Sequence, residues 1–252
     1  MEKDKLPECP PEKDKLPECP PEKDKLPECP PEKQKSVDET IGEGITNTQN
    51  ATGEDLEATL KSEGVKITKI HHTAKVDPSA QIDPSVIIPE GCIIGPNVVI
   101  GKGVVLESNV HIGAGAEIGA KVKIGYDTKI GDNTKIGEEA RIWYGVKIGS
   151  NAEIGNNAII LSNAEIGNRA KIGYNTKIGN RAKIGYNTKI GNRAKIGYNT
   201  KIGESAIIGK GAEIGESAII GKGAEIGESV IIGKGAEIGE SVIIGKGAEI
   251  GE

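Results

Sequence analysis

Between Ile70 and Ile250 an aliphatic residue recurs at every sixth position without an insertion: Ile70, Val76, Ile82, Ile88, Ile94, Ile100, Leu106, Ile112 and onward. From Val76 on, a small or β-branched residue stands two places earlier, as at Ala74, Ala80, Val86, Cys92, Thr128, Ala140, Thr176 and Ala248. Residues two apart in a strand face the same side, so each such pair points inward and the residue between them points out. A period of six is neither a helix period nor plain strand alternation. It predicts a short strand plus a corner, repeated, and stacked coils with three flat parallel sheets around a narrow aliphatic core. Glycine usually follows the aliphatic residue, as in Ile94-Gly95 and Ile118-Gly119. The expected reason is conformational: glycine lets the chain turn the corner without steric cost.

The charges fix the size of a coil. Residues 204–252 repeat every twelve as Glu-Ser-(Ala/Val)-Ile-Ile-Gly-Lys-Gly-Ala-Glu-Ile-Gly. A coil of twelve or twenty-four residues would stack Lys210 on Lys222 or Lys234. A coil of eighteen stacks Glu204 on Lys222 on Glu240, and Lys210 on Glu228 on Lys246. At the roughly 4.8 Å spacing of paired strands, only the latter alternates the signs. Three hexads per coil over the 180 residues from Ile70 to Ile250 gives ten coils.

Composition agrees with a repetitive core. The chain has 252 residues, 36 glycines, one tryptophan, five tyrosines and no phenylalanine. Aromatics dominate burial per residue in ordinary cores, so a chain this poor in them closes its core by stacking repeats on one another.

The N-terminal quarter reads differently. Residues 2–31 are three identical copies of Glu-Lys-Asp-Lys-Leu-Pro-Glu-Cys-Pro-Pro. Such a segment has too little apolar surface to offset the entropy of ordering and favours extended polyproline stretches. Residues 1–35 are expected to be a disordered tail, and 36–69 a linker. Within the linker Thr52 precedes Asp55 by three, Leu56 and Leu60 share one helical face, and Gly64 supplies a stop. A helix near 53–63, covering the open end of the sheets, is the expectation. Cys9, Cys19 and Cys29 recur every ten residues, unlike zinc-ligand pairs two to four apart. They read as reduced thiols, with intermolecular crosslinking as the minority reading. No apolar h-region follows the N-terminus and no run approaches a membrane span, so the expected compartment is cytoplasmic.

The first hexads carry a family resemblance. Ile70-His71-His72-Thr73-Ala74-Lys75-Val76-Asp77-Pro78-Ser79-Ala80, continued from Cys92-Ile93-Ile94-Gly95-Pro96-Asn97 to Ser108, resembles the opening of the bacterial UDP-N-acetylglucosamine acyltransferases. Those belong to the wider hexapeptide-repeat acyl- and acetyltransferases. Ile142-Trp143-Tyr144-Gly145-Val146 is similar to an aromatic hexad of several such enzymes. The resemblance implies an all-β, left-handed parallel β-helix, where the general crossover rule alone favours the right hand. It implies a homotrimer, and acyl transfer from an acyl-carrier protein or coenzyme A thioester to an amino sugar or sugar nucleotide. It calls for no metal or prosthetic group. The family's general base is a histidine in the middle coils, whereas the histidines here are His71, His72 and His111. His111 takes an outward position before Ile112 and reads as a surface residue, so no catalytic residue is assigned. His71 and His111 are more than two coils apart, too far for a three-histidine zinc site. The alternative to an enzyme is a non-enzymatic β-helical rod.

The net charge of −5 conceals a sharp division. Residues 166–203 carry Arg169, Lys171, Lys177, Arg181, Lys183, Lys189, Arg193, Lys195 and Lys201 and no acid, a local charge of +9. Residues 204–252 carry nine Glu and four Lys. In the eighteen-residue register Lys171 stacks on Lys189 and Lys177 on Lys195, a mildly unfavourable arrangement that an anion would relieve. Tyr174, Tyr186 and Tyr198 interleave with the cations and offer stacking surfaces. These nine form a candidate anion-binding band for a polyanionic glycan, a nucleic acid or an acidic carrier protein. A solvated lysine face, or head-to-tail contact with the acidic section of another rod, are the other two readings. Ice binding is rejected, since Thr128, Thr134, Thr176, Thr188 and Thr200 take inward positions.

Overall fold

A computed structural model describes residues 69–251. The expected tail, linker, helix near 53–63 and Cys9, Cys19 and Cys29 lie outside the described residues. Thirty-one two-residue strands run from Lys69–Ile70 to Glu249–Ile250, one per hexad, and every pairing is parallel. Strands pair with the one eighteen residues on, as Lys123 with Arg141 and Ile124 with Ile142, with a single break after Ile88. Ten coils result, with three faces.

The first face stacks Lys69–Ile70 and Ile87–Ile88, then Val105–Leu106 through Glu249–Ile250. The second runs in ten strands from Lys75–Val76 to Glu237–Ile238, and the third in ten from Gln81–Ile82 to Ile243–Ile244. The first face is interrupted after Ile88, where Pro89 stands at the position otherwise held by a donor such as Gly101, whose amide bonds the Ile118 carbonyl at 2.8 Å. Proline has no such hydrogen to give.

The inward register is as the hexads predict. Ile88, Ile94, Ile100, Ile112, Ile124 and their successors are buried, and so are the small residues two before them. Thr128, Thr134, Thr176, Thr188 and Thr200 are fully buried, and each hydroxyl donates to a corner carbonyl fifteen residues on, as Thr188 to Gly203 at 2.9 Å. Buried polar groups survive only when bonded in this way. One rung of each predicted charge ladder closes as an ion pair: Lys222 meets Glu204 at 3.5 Å and Lys246 meets Glu228 at 3.4 Å. Exposed pairs of this kind add little stability, about 0–1 kcal/mol each.

The expected role of glycine is corrected. The residue that turns the corner in the left-handed region comes two places after that glycine: Asn97 has φ 56°, Gly115 φ 65°, Lys121 φ 58° and Arg181 φ 57°. The glycine itself is required by crowding between coils. A Cβ on Gly197 would lie 2.6 Å from the Glu216 nitrogen and 2.6 Å from the Gly215 carbonyl carbon. Its own amide meanwhile bonds the Ile214 carbonyl at 2.8 Å, which holds the two coils at that distance.

Candidate functional site

The eighteen-residue register decides where the nine basic residues go. Lys177 and Lys195 stack on the first face, Lys183 and Lys201 on the second, and Lys171 and Lys189 on the third. Arg169, Arg181 and Arg193 each take the positive-φ place of a turn, with φ of 59°, 57° and 60°. These turns fall on three different corners. The band is therefore a girdle with one like-charged lysine pair per face and one arginine per corner. The structure does not gather it into one patch, as a single-patch reading of the band would require.

Each arginine is matched to a tyrosine on a neighbouring coil. Arg169 donates from Nη1 to the Tyr186 hydroxyl at 2.7 Å and lies 5.7 Å from its ring centroid. Arg181 does the same to Tyr198, at 3.0 and 5.9 Å, and Arg193 lies 5.9 Å from the centroid of Tyr174. The rings hold the guanidinium groups by cation–π attraction while both remain exposed. Three of the lysines meet carboxylates from outside the band: Lys171 pairs with Glu153 at 2.8 Å and Lys195 with Glu213 at 2.8 Å, while Lys183 at 3.6 Å shares Glu165 with Lys147 at 3.5 Å. Lys177, Lys189 and Lys201 have no ion pair among the described residues.

Two long shallow grooves run beside the glycine columns. One, of about 920 Å³, follows the third face from Val99 to Glu228 over a floor of isoleucine and glycine, with Lys135, Lys171, Lys189 and Lys210 along it. The other, of about 780 Å³, follows the second face from Lys129 to Glu240. The first corner has no such glycine column in its middle coils, because Glu107, Trp143 and Leu161 take the glycine position there. Beside Trp143 the rings of Tyr126 and Tyr144 stack at 4.9 Å and 3°. The Glu107 carboxylate accepts the Tyr126 amide at 2.9 Å. This stacked pair was missed from sequence, although its spacing of eighteen is the coil length.

No histidine lines either groove. His71 and His72 sit in the first coil with ring centroids 4.3 Å apart, and His71 Nδ1 meets the Thr73 hydroxyl at 2.9 Å. His111 is half-buried on the second face, stacked between Ile93 and Lys129. The described residues contain no group of three or more metal-capable side chains. No helix among them is long and apolar enough to cross a membrane. Titration is displaced at Asp77, whose carboxyl is held below the usual range by hydrogen bonds from the Ser79 hydroxyl and amide. At Cys92 burial pushes the thiol up, and its Sγ donates to the Glu107 carbonyl at 3.4 Å.

Residues 67–102, 127–162, 145–180, 187–222 and 199–234 match the family model of the bacterial transferase hexapeptide (six repeats). Residues 85–120 match the hexapeptide repeat of succinyl-transferase. Among curated proteins none matches in sequence. The chain is similar in structure to a UDP-N-acetylglucosamine acyltransferase, at 22% identity and a TM-score of 0.59, over 64% of this chain and 71% of that one. It is similar to the acyltransferase of Bacteroides fragilis at 23% identity and a TM-score of 0.52, over 66% of each chain. The likeness to the UDP-N-acetylglucosamine O-acyltransferase of Moraxella catarrhalis has 26% identity and a TM-score of 0.43, over 65% of this chain and 66% of that one. The chain thus spans about two thirds of the length of these structures. With the family model matched across more than half of its length, the chain belongs to the bacterial transferase hexapeptide family.

Proposed function

We propose that the protein works as a cytoplasmic homotrimer that transfers an acyl group from an acyl-carrier-protein or coenzyme A thioester to an amino sugar or sugar nucleotide. The observation that supports this reading is the groove on the third face. An apolar floor of isoleucine and glycine suits an extended acyl or pantetheine chain, and Lys171 and Lys189, one coil apart, suit the phosphates of a thioester carrier or a nucleotide. A neighbouring rod in a trimer would roof the groove and exclude water, which strengthens charge interactions inside it. The test is acyl transfer to UDP-N-acetylglucosamine from acyl-carrier-protein and coenzyme A thioesters, with the oligomeric state measured in the same buffer. Transfer by a salt-resistant trimer is the expected result.

A second reading has its own supporting observation. The described histidines lie outside both grooves, and the carboxylates of the third-face groove, Glu117, Glu153 and Glu228, are each paired with a lysine, at 3.0, 2.8 and 3.4 Å. A general base must reach its proton within hydrogen-bond distance. A rod of transferase descent that binds ligands without turnover fits that arrangement. Binding of a thioester without product, or a monomer in solution, decides for the rod.

A further inference from the structure

We propose that the girdle at residues 169–201 is a binding site for a flexible, linear, phosphate-bearing polyanion that wraps the rod. The proposal rests on the second reading above, the rod with all three faces open, because Lys189 lines the groove that a trimer would roof. Setting aside Lys171 and Lys195, paired with Glu153 and Glu213, and Lys183, which shares Glu165 with Lys147, leaves six cations with no carboxylate partner among the described residues. They are Lys177, Lys201 and Lys189, one on each face in turn, and Arg169, Arg181 and Arg193, one on each corner. All six lie within two coils, a height of about 10 Å at ~4.8 Å per coil. Six charges over that height is about 0.6 per Å, the linear charge density of duplex DNA with the sign reversed. A surface this charged holds small counterions, and a polyanion that displaces them gains the entropy of their release.

The arrangement selects the shape of the ligand. A stiff duplex laid along one face meets one free lysine and the arginines of the two flanking corners. A flexible chain that follows the coil direction meets all six. The arginines are already ordered on Tyr186, Tyr198 and Tyr174, so less side-chain entropy is lost when a phosphate binds. Each tyrosine remains about 40% exposed, Tyr174 at 39% and Tyr186 at 41%, and offers ring surface to a nucleobase if the phosphate chain carries one.

The experiment measures binding of the full chain to three probes of equal charge by fluorescence anisotropy: linear inorganic polyphosphate, oligo-dT and a DNA duplex. Salt is varied from 50 to 200 mM. Six phosphate contacts on a single strand predict a slope of log K against log salt near about −4, a loss of roughly 300-fold over that range. The variant Lys177→Gln/Lys189→Gln/Lys201→Gln keeps the core untouched and should lower the magnitude of the slope by about 2. The control Lys75→Gln/Lys102→Gln/Lys234→Gln, outside the girdle, should leave it unchanged. Tighter binding of oligo-dT than polyphosphate identifies a nucleic-acid strand, and the reverse or equality identifies the phosphate chain alone. The proposal is overturned if neither flexible probe binds at 50 mM salt, or if the girdle variant keeps the parent slope. It is also overturned if the duplex binds as tightly as oligo-dT. Salt-sensitive self-association with no probe bound would overturn it as well, assigning the girdle to the acidic section of a second copy.

Discussion

Gly197→Ala and Gly245→Ala place the same methyl group at the same hexad position, and the structure predicts effects of opposite sign. At Gly197 the new Cβ would stand 2.6 Å from the Glu216 nitrogen and 2.7 Å from the Gly215 oxygen, where ordinary contact begins at 3.4 Å. The atoms it meets are backbone, so relief requires the coils to separate by about 0.8 Å against a strand spacing of 4.7–4.9 Å. The Gly197 amide, now 2.8 Å from the Ile214 carbonyl, would then leave hydrogen-bond range. Overpacking costs about 1–3 kcal/mol and the lost bond about 1 more, offset by about 0.4–1 kcal/mol from a stiffer unfolded chain. At Gly245 nothing lies within 4 Å and φ is not positive. Only the unfolded-state term remains there, a gain of about 0.4–1 kcal/mol. The two variants should therefore differ by about 2–4 kcal/mol. Urea unfolding followed by circular dichroism reads the difference. Because stacked repeats open locally, amide exchange at residue 197 should accelerate in the first variant alone. Equal stability of the two would refute the claim that contact between coils, rather than turning, requires glycine.

Other predictions follow from the corners and the core. Thr188→Val keeps the shape but strands the Gly203 carbonyl that now accepts at 2.9 Å, and should cost about 1–3 kcal/mol in the same urea assay. Ser217 has φ 55°, so Ser217→Gly should stabilise by up to about 1 kcal/mol while Ser217→Val destabilises, and a shared sign would contradict the turn geometry. Cys92, buried with its thiol pushed up, should resist alkylation in the folded protein and react on unfolding, as read from the modified peptides by mass spectrometry. The Asp77 carboxyl is depressed by Ser79, so its contribution holds above the usual carboxylate range and disappears as pH falls through the depressed value. Exchange at the Ser79 amide should rise in acid, and Asp77→Asn should remove that pH dependence.

The period of six and the coil of eighteen were legible because both repeat along the chain, and the Glu204–Lys222 contact appears where the ladder placed it. The function of the glycines was not legible. The atoms that forbid a side chain at Gly197 belong to residues 215 and 216, a full coil away, while the left-handed turn is made at the second residue after it, Asn199 with φ 54°. The nine cations were identified as a set, and the stacking of Lys171 on Lys189 was foreseen. Their placement around three faces was missed because the register was applied to pairs and not to the whole band. Arg169, Arg181 and Arg193 stand twelve apart, which under a coil of eighteen puts each on a different corner. The tyrosine that meets each arginine depends on side-chain reach between coils, which one-dimensional spacing does not encode.

That mismatch of twelve and eighteen also governs how such a molecule grows. Any insertion of six residues, or a multiple of six, preserves every inward isoleucine and every corner glycine, so the core accepts it without repacking. One dodecad lengthens the rod by two thirds of a coil, about 3.2 Å at ~4.8 Å per coil. Copying a segment thus works as a fine ruler: length advances in small even steps while whatever the segment carries is turned around the axis. Thirty-six residues, three copies, make two whole coils and bring the surface pattern back into phase. The three Asn-Arg-Ala-Lys-Ile-Gly-Tyr-Asn-Thr-Lys-Ile-Gly units of residues 168–203 that form the girdle amount to one such complete revolution of the pattern.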